Sequence, residues 1–198
     1  MAGWALALVG VYLALAFGFR IALQLRRTGS TGIAGLSGPP IELLSGGLLL
    51  SAIALGGSNP VLALTDAVEP LDGIDGTAAH GAGFALCILG IAGTFVSQLQ
   101  MGVSWRIGVD ERERTELVTD SLFAQVRNPI YTSMVIAWTG FALLVPTWIG
   151  IAAVPLVVAA LELQVRVVEE PHLLRAHGDT YRRYARRVGR FLPGIGRI

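Results

Sequence analysis

The run RNPIYTSMVIAWTGFALLVPTWIGIAAVPLVVAALELQVRVVEEP, residues 127–171, decides the fold. It opens polar at Arg127-Asn128-Pro129-Ile130-Tyr131 and stays apolar to Val145. It then turns at Val145-Pro146-Thr147-Trp148, stays apolar to Val168 and closes at Glu169-Glu170-Pro171. Two long apolar runs joined by so short a turn read as a pair of antiparallel membrane helices. Such a hairpin returns both polar ends to one bilayer edge, with Arg127 and Tyr131 facing Glu169 and Glu170. Pro129 suits the first turn of a helix, where a missing N–H costs nothing. The first of the two spans is short, about 25 Å at 1.5 Å per residue, so it enters from a thinned or recessed surface.

The rest of the chain agrees with a membrane setting. Of its 198 residues 53% are hydrophobic and only 15% charged, with a mean hydropathy of +0.62; soluble domains carry about a quarter charged residues. The 15 basic residues are all arginine and the 14 acids nearly cancel them, so a net charge of +1 argues against a nucleic-acid partner. The single cysteine, Cys87, excludes an internal disulfide and a cysteine metal cluster. Lying in an apolar run, it reads as packing.

Apolar periods place five transmembrane helices, at about 3–25, 41–64, 78–99, 129–145 and 148–168, in an all-α integral membrane protein. Arg26-Arg27 closes the first span and should anchor it in the cytoplasm, which sets the N-terminus outside. The loop with Asp66, Glu69, Asp72 and Asp75 has no basic residue and belongs outside. Arg106, Arg112 and Arg114 keep the next polar stretch inside. Gly56-Gly57-Ser58-Asn59-Pro60 is expected to kink or end the second span. After Pro171 the tail holds seven arginines against one acid, Asp179, with Leu173, Leu174, His177, Tyr181, Tyr184 and Val188 at helical spacing. Gly178 should divide it into two amphipathic helices lying along the cytoplasmic face.

Several polar features have bland readings that outweigh sharper ones. The glycines at 29, 32, 35 and 38 follow no strand and precede no lysine, so they form a connector rather than a phosphate cradle. Asp110, Glu111, Glu113, Glu116 and Asp120 lack a histidine at ligand spacing and are interleaved with arginine, so no metal is expected. His80 is an interface residue. Trp105 and Ile107 are expected at the interface, and residues 117–123 as a re-entry toward the membrane. Gly90, Gly93 and Ser97 form a small-residue face, which serves either helix packing or the approach of a ligand. Glu162 and Arg166 are spaced for an i,i+4 pair, with Arg166 also within a turn of Glu169 and Glu170.

Singly, Arg127 could be an anchor, Tyr131 a belt aromatic, and Glu169 and Glu170 the acidic start of a helix. Jointly, an arginine fork beside two carboxylates at a lipid–water boundary suits a zwitterionic ligand. The guanidinium would take a carboxylate, and the glutamates an ammonium or ribose hydroxyls.

Arg127-Asn128-Pro129-x-Tyr131, Glu169-Glu170-Pro171, Leu174, Gly178, Tyr181, Tyr184, Arg187-Val188 and Leu192-Pro193 resemble the C-terminal pattern of isoprenylcysteine carboxyl methyltransferases. Asn-Pro-x-Tyr, Glu-Glu-Pro and Leu89-Gly90-x-Ala92-Gly93-Thr94-Phe95 also resemble membrane phospholipid N-methyltransferases, the phosphatidylethanolamine enzyme among them. The resemblance covers roughly the C-terminal half. It implies S-adenosylmethionine as methyl donor, with S-adenosylhomocysteine as product. By position it implies Arg127, Asn128, Tyr131, Glu169 and Glu170 as cofactor contacts, with Tyr181 and Tyr184 covering them and Arg127 and Glu170 serving catalysis. Residue 128 is Asn where the prenylcysteine enzymes usually have His, so no general base is available there.

The expected organisation is a single membrane domain, with a three-helix part over 1–99 and the cofactor-binding core over 100–198. The expected activity is methyl transfer to a lipophilic small molecule from the bilayer, carboxylate O-methylation favoured, at the cytoplasmic face of a cell inner membrane. The competing readings are an NADPH-dependent membrane reductase, which would want more clustered basic residues than Arg127 supplies, and a non-enzymatic lipid-binding protein.

Overall fold

The computed structural model describes residues 1–33, 40–108 and 116–198. Within these the chain is helical, with isolated bridges but no strand. Four helices are long and apolar enough to cross a membrane: α1 (Ala2–Thr28), α2 (Pro40–Leu64), α3 (Thr77–Gln100) and the continuous helix Trp148–Arg187. The last comprises α5 (Trp148–Leu163), a π-helical turn (Gln164–Glu169) and α6 (Glu170–Arg187). Between them lies the shorter apolar α4 (Pro129–Leu144). Trp4, Leu44, Leu50, Leu89 and Trp148 are all more than 60% exposed. Large apolar side chains facing outward in such number are what a lipid environment explains.

Small residues decide the packing. The closest helix pair is α3 against α4. A Cβ at Gly90 would overlap the backbone of Ala137, and one at Gly140 would lie 2.6 Å from the Cys87 nitrogen. Gly93 likewise meets Ser133. The small-residue face is therefore a packing face, where backbones approach too closely for any side chain. Cys87 is fully buried there. Tyr12 of α1 packs with Trp138 and Phe141 of α4, tying the first helix to this pair.

Three expectations change. First, of the two outcomes expected at Gly-Gly-Ser-Asn-Pro, a kink or an end, the end does not occur: α2 runs through Pro60 to Leu64, the expected bound of the span. Gly56 packs against Ala153 of the neighbouring helix, and buried Asn59 donates to Val145 O at 2.8 Å and accepts from Thr147 Oγ at 2.5 Å. These neighbours stabilise a proline-containing turn that would break an isolated helix. Second, the helix expected to end at 168 continues into the tail. Pro171, in the first turn of α6, lacks an N–H, and the preceding turn widens to the π pattern, with Glu170 N–H bonded to Val165 O. Gly178 (φ 51°, ψ −125°) does break the helical backbone of α6, as expected. Third, Trp105 is 2% exposed, stacked under the Arg20 guanidinium at 4.6 Å. Arg20 and Gln24, one turn apart on α1, are fully buried and donate to Gly102 O and Val103 O.

The loop 65–76 is pinned to the hairpin turn by Leu71 N–H to Pro146 O at 2.8 Å. Residues 121–124 form a short 3-10 turn just before α4. Gly35, Gly38, Asp110, Glu111, Arg112, Glu113 and Arg114 lie outside the described residues. Among the described residues no group of acids or histidines could hold a metal.

Candidate active site

The hairpin brings the polar ends of α4 and α5 together at the end remote from the 145–148 turn. Asn128 has non-helical backbone angles and precedes Pro129, which starts α4. The residues just before it pair as a short parallel ribbon with the C-terminal segment. Arg127 N–H donates to Gly189 O at 2.8 Å and Asn128 N–H to Arg190 O at 3.0 Å. Thr132 Oγ adds a bond to Phe191 O at 2.9 Å. The segment 189–196 is thereby strapped across the start of α4.

Arg127 is 6% exposed. Its Nη1 donates to Ala185 O (3.0 Å) and Val188 O (2.6 Å), and its Nη2 to Glu170 (2.5 Å) and Gly196 O (3.1 Å). Both terminal nitrogens thus hold the protein's own C-terminal segment, and Nε is left buried without a partner. Glu170 also accepts from Arg190 Nε (2.8 Å) and Nη2 (2.9 Å), a bidentate fork. Hydrogen bonding to Glu170 holds the Arg190 guanidinium above its ordinary pKa, so the pair stays charged. Glu170 is therefore a carboxylate clamped between two arginines.

Glu169, its neighbour, lives differently: it accepts from the Tyr131 hydroxyl. The structure brings together Arg127 with Glu170, and Tyr131 with Glu169. Asn128 bonds through Nδ2 to Arg190 O at 3.2 Å, a backbone contact that an amide makes without any acid–base function. Tyr181 and Tyr184 are buried, with ring centroids 6.2 Å apart, among Leu117, Leu173, Leu174 and Val188. The Tyr184 hydroxyl donates to Phe123 O at 2.6 Å. Arg166 pairs with Glu162 along its own helix and not with Glu169 or Glu170.

Arg190 escaped sequence reasoning, although it completes the cluster. The signal available was Gly189, where a Cβ would overlap Leu192 O; such a glycine marks a tight turn that aims its neighbour inward. Beside Arg190 a cavity of about 130 Å³ is lined by Glu162, Arg166, Phe191, Leu192, Ile195 and Gly196. A larger one of about 430 Å³, at the other end of the helices, is lined by Glu69, Asp72, Thr147 and Trp148 among others. The candidate site is taken at the end that holds the smaller cavity, where Arg190, the one member of the Arg127–Glu170–Arg190 cluster that lines it, meets Glu170.

The phospholipid methyltransferase family matches residues 78–180, just over half the chain. The match spans α3, α4, α5 and most of α6. The chain belongs to the phospholipid methyltransferase family of membrane enzymes, and that membership implies methyl transfer from S-adenosylmethionine to a lipid-type substrate. No curated protein sequence matches the chain significantly. Among solved structures, the eukaryotic intramembrane Ras methyltransferase, an isoprenylcysteine carboxyl methyltransferase determined without a monobody, is similar in fold. Its TM-score is 0.59 at 18% identity, over 97% of this chain and 68% of that one.

Proposed function

We propose that the protein transfers the methyl group of S-adenosylmethionine to a lipophilic small molecule, with a carboxylate the favoured acceptor, at the cytoplasmic face of a cell inner membrane. In this reading α4 is a fifth span, the N-terminus is outside and the C-terminus inside. Residues 1–99 form a supporting three-helix part and 100–198 the cofactor-binding core. The observation that carries it is the side-by-side placement of Tyr131–Glu169 and Arg127–Glu170–Arg190 at one end of a single hairpin.

The donor set fits a zwitterionic nucleoside cofactor. Glu169 offers carboxylate oxygens to an ammonium or to ribose hydroxyls, and Arg127 Nε is an orphaned buried donor. Asn128 and Glu170 both bond to Arg190, which lines the small cavity, and the family resemblance adds Tyr131, Tyr181 and Tyr184 as contacts. Ligand pockets of this size class measure about 300–1,000 Å³, well above the 130 Å³ beside Arg190. The 189–196 strap therefore shifts when the cofactor enters. Arg127 then acts first as the residue that returns the strap to its place, and through it as an orienting group.

When bound, the cofactor supplies a sulfonium methyl that is already activated. The acceptor oxygen forms a bond to that carbon while the carbon–sulfur bond breaks and its electron pair stays on sulfur. A carboxylate has no proton to lose, so Asn128 in place of a base is no obstacle. What the chain contributes is alignment, which is worth about 7–11 kcal/mol in well-oriented reactions. Thermal-shift titration in detergent tests the reading: stabilisation by S-adenosylhomocysteine and not by NADP is expected. Stabilisation by NADP alone would favour a reductase, and by neither a non-enzymatic lipid-binding role.

A further inference from the structure

Arg20 is fully buried, about two turns before α1 ends at Thr28. Its Nη2 donates to Gly102 O, and its guanidinium lies over the Trp105 ring, 4.6 Å from the centroid. Nε and Nη1 are buried without a partner, so three of the five guanidinium N–H groups, one on Nε and two on Nη1, meet no acceptor. Among the described residues no acid pairs with Arg20. A charge at such depth is held in a fold by a partner or for a ligand, because unpaired it destabilises the folded state. Trp105 is no substitute, since an indole face attracts the cation yet leaves its N–H edges unmet.

The neighbours of Arg20 define what would satisfy it. Gln24, one turn on along the same face, is also fully buried. Its Nε2 donates to Val103 O at 3.0 Å, and its Oε1 has no partner. The pair thus offers donors fit for an oxyanion and one acceptor fit for a hydroxyl. Its depth is that of a headgroup, because Arg20 bonds to a carbonyl just past the end of α3 at Gln100. Phe19 and Leu25, next to the two residues in sequence, are exposed, as are Leu99 and Val103 near Gly102. Exposed Arg26 and Arg27 at the same helix end add positive charge, which draws anionic lipid.

The backbone allows an anion to enter. A Cβ at Gly32 would lie 3.1 Å from Gln24 Cγ and from the Trp105 ring, and the Gly32 carbonyl accepts from Ile107 N–H at 2.8 Å. The loop after α1 is therefore laid tightly against the one after α3. Gly102 differs: its φ is 55°, and a Cβ there would meet nothing within 4 Å. The 102–104 turn has room to swing outward. A phosphate oxygen can then replace the Gly102 carbonyl on Nη2 and share the Nη1–Nη2 fork.

We propose that Arg20 and Gln24 form a lipid site for an anionic phospholipid with a hydroxylated headgroup. The phosphate sits on the Arg20 guanidinium and the headgroup hydroxyl on Gln24 Oε1, with the acyl chains along Phe19 and Val103. The site lies apart from the methyl-donor cluster and does not depend on that reading.

The test is lipid retention by the full chain in neutral detergent, read by native mass spectrometry. The probes are phosphatidylglycerol, phosphatidylcholine, phosphatidylmethanol (an anionic diester without a headgroup hydroxyl) and inorganic phosphate. The parent should retain one phosphatidylglycerol about fivefold or more in preference to phosphatidylcholine. Arg20→Gln should lose at least about tenfold in phosphatidylglycerol affinity, the loss expected for charge-assisted bonds. Arg182→Gln, which removes an exposed arginine on α6, should stay within about twofold of the parent. Gln24→Leu should abolish the advantage of phosphatidylglycerol over phosphatidylmethanol. Parent-like retention in Arg20→Gln overturns the proposal, as does a parent that prefers phosphatidylcholine or holds the two equally. An advantage that survives in Gln24→Leu overturns the headgroup assignment, and displacement of the lipid by equimolar inorganic phosphate overturns the lipid as ligand. Should Arg20→Gln fail to fold, photo-crosslinking of the parent decides. Phosphatidylglycerol with a photoreactive group at the head of one acyl chain should label peptides containing 19–25 or 99–105. Displaceable label confined to other peptides overturns the proposal.

Discussion

Replacing Arg127 by methionine should release the C-terminal strap before it does anything else. The guanidinium is buried and makes four hydrogen bonds, three of them to carbonyls of residues 185, 188 and 196. Glu170 keeps its fork from Arg190 when Arg127 is lost, so the acid is not stranded. The three carbonyls are, and each buried acceptor left unsatisfied costs about 1–3 kcal/mol. The strap can escape most of that by opening to water, so the loss appears as local opening rather than global unfolding. At about 1.4 kcal/mol per decade, the opening equilibrium rises by at least about a hundredfold. Hydrogen exchange reads this directly at the amides of Arg190, Ile195 and Ile198, which bond to Ile195 O, Leu192 O and Ala185 O. Amides within α3 should keep their protection. Arg127→Lys should not rescue, because one ammonium cannot span carbonyls on both sides of the strap. Unchanged protection at 190–198 in Arg127→Met, with S-adenosylhomocysteine affinity lost, would refute the reasoning and make Arg127 a ligand contact alone.

The other predictions concern packing and the clamp. Gly90→Ala should destabilise by about 1–3 kcal/mol or more, read as a lower melting temperature, since its methyl would overlap Ala137. Gly81→Ala, with open space around it, should be neutral or slightly stabilising. Asn59→Ala should cost about 2–4 kcal/mol by stranding Val145 O and Thr147 Oγ, with thermal inactivation as the assay. Gly189→Ala should reproduce the exchange pattern of Arg127→Met, because its Cβ meets Leu192 O and Ile195 O. Glu162→Gln should change melting little, as its pair with Arg166 is exposed to solvent.

Much of this architecture was legible in the chain. Apolar runs bounded by arginines and acids located the first four spans to within a few residues and the start of the fifth, and the short 145–148 turn forced the antiparallel hairpin. Pro60 and Pro171 misled because their effect depends on neighbours: Asn59 and Thr147 stabilise one turn, and a π turn absorbs the other. The glycine face over 90 and 93 was visible, yet only the approach of Ala137 and Ser133 shows what it serves. Arg127, Tyr131, Glu169 and Glu170 were found because they flank apolar runs. Arg190 was not, because its carboxylate partner Glu170 lies 20 positions away across the tail helix. The engagement of Arg127 by backbone carbonyls was equally hidden, since carbonyls have no signature in a sequence.

Ultraviolet crosslinking of radiolabelled S-adenosylmethionine, followed by peptide mapping, tests the central claim most directly. The account predicts label in peptides spanning 127–131 and 164–191, displaced by unlabelled S-adenosylhomocysteine. Displaceable label confined to 68–72 and 147–149, around the larger cavity at the other end of the helices, would contradict it.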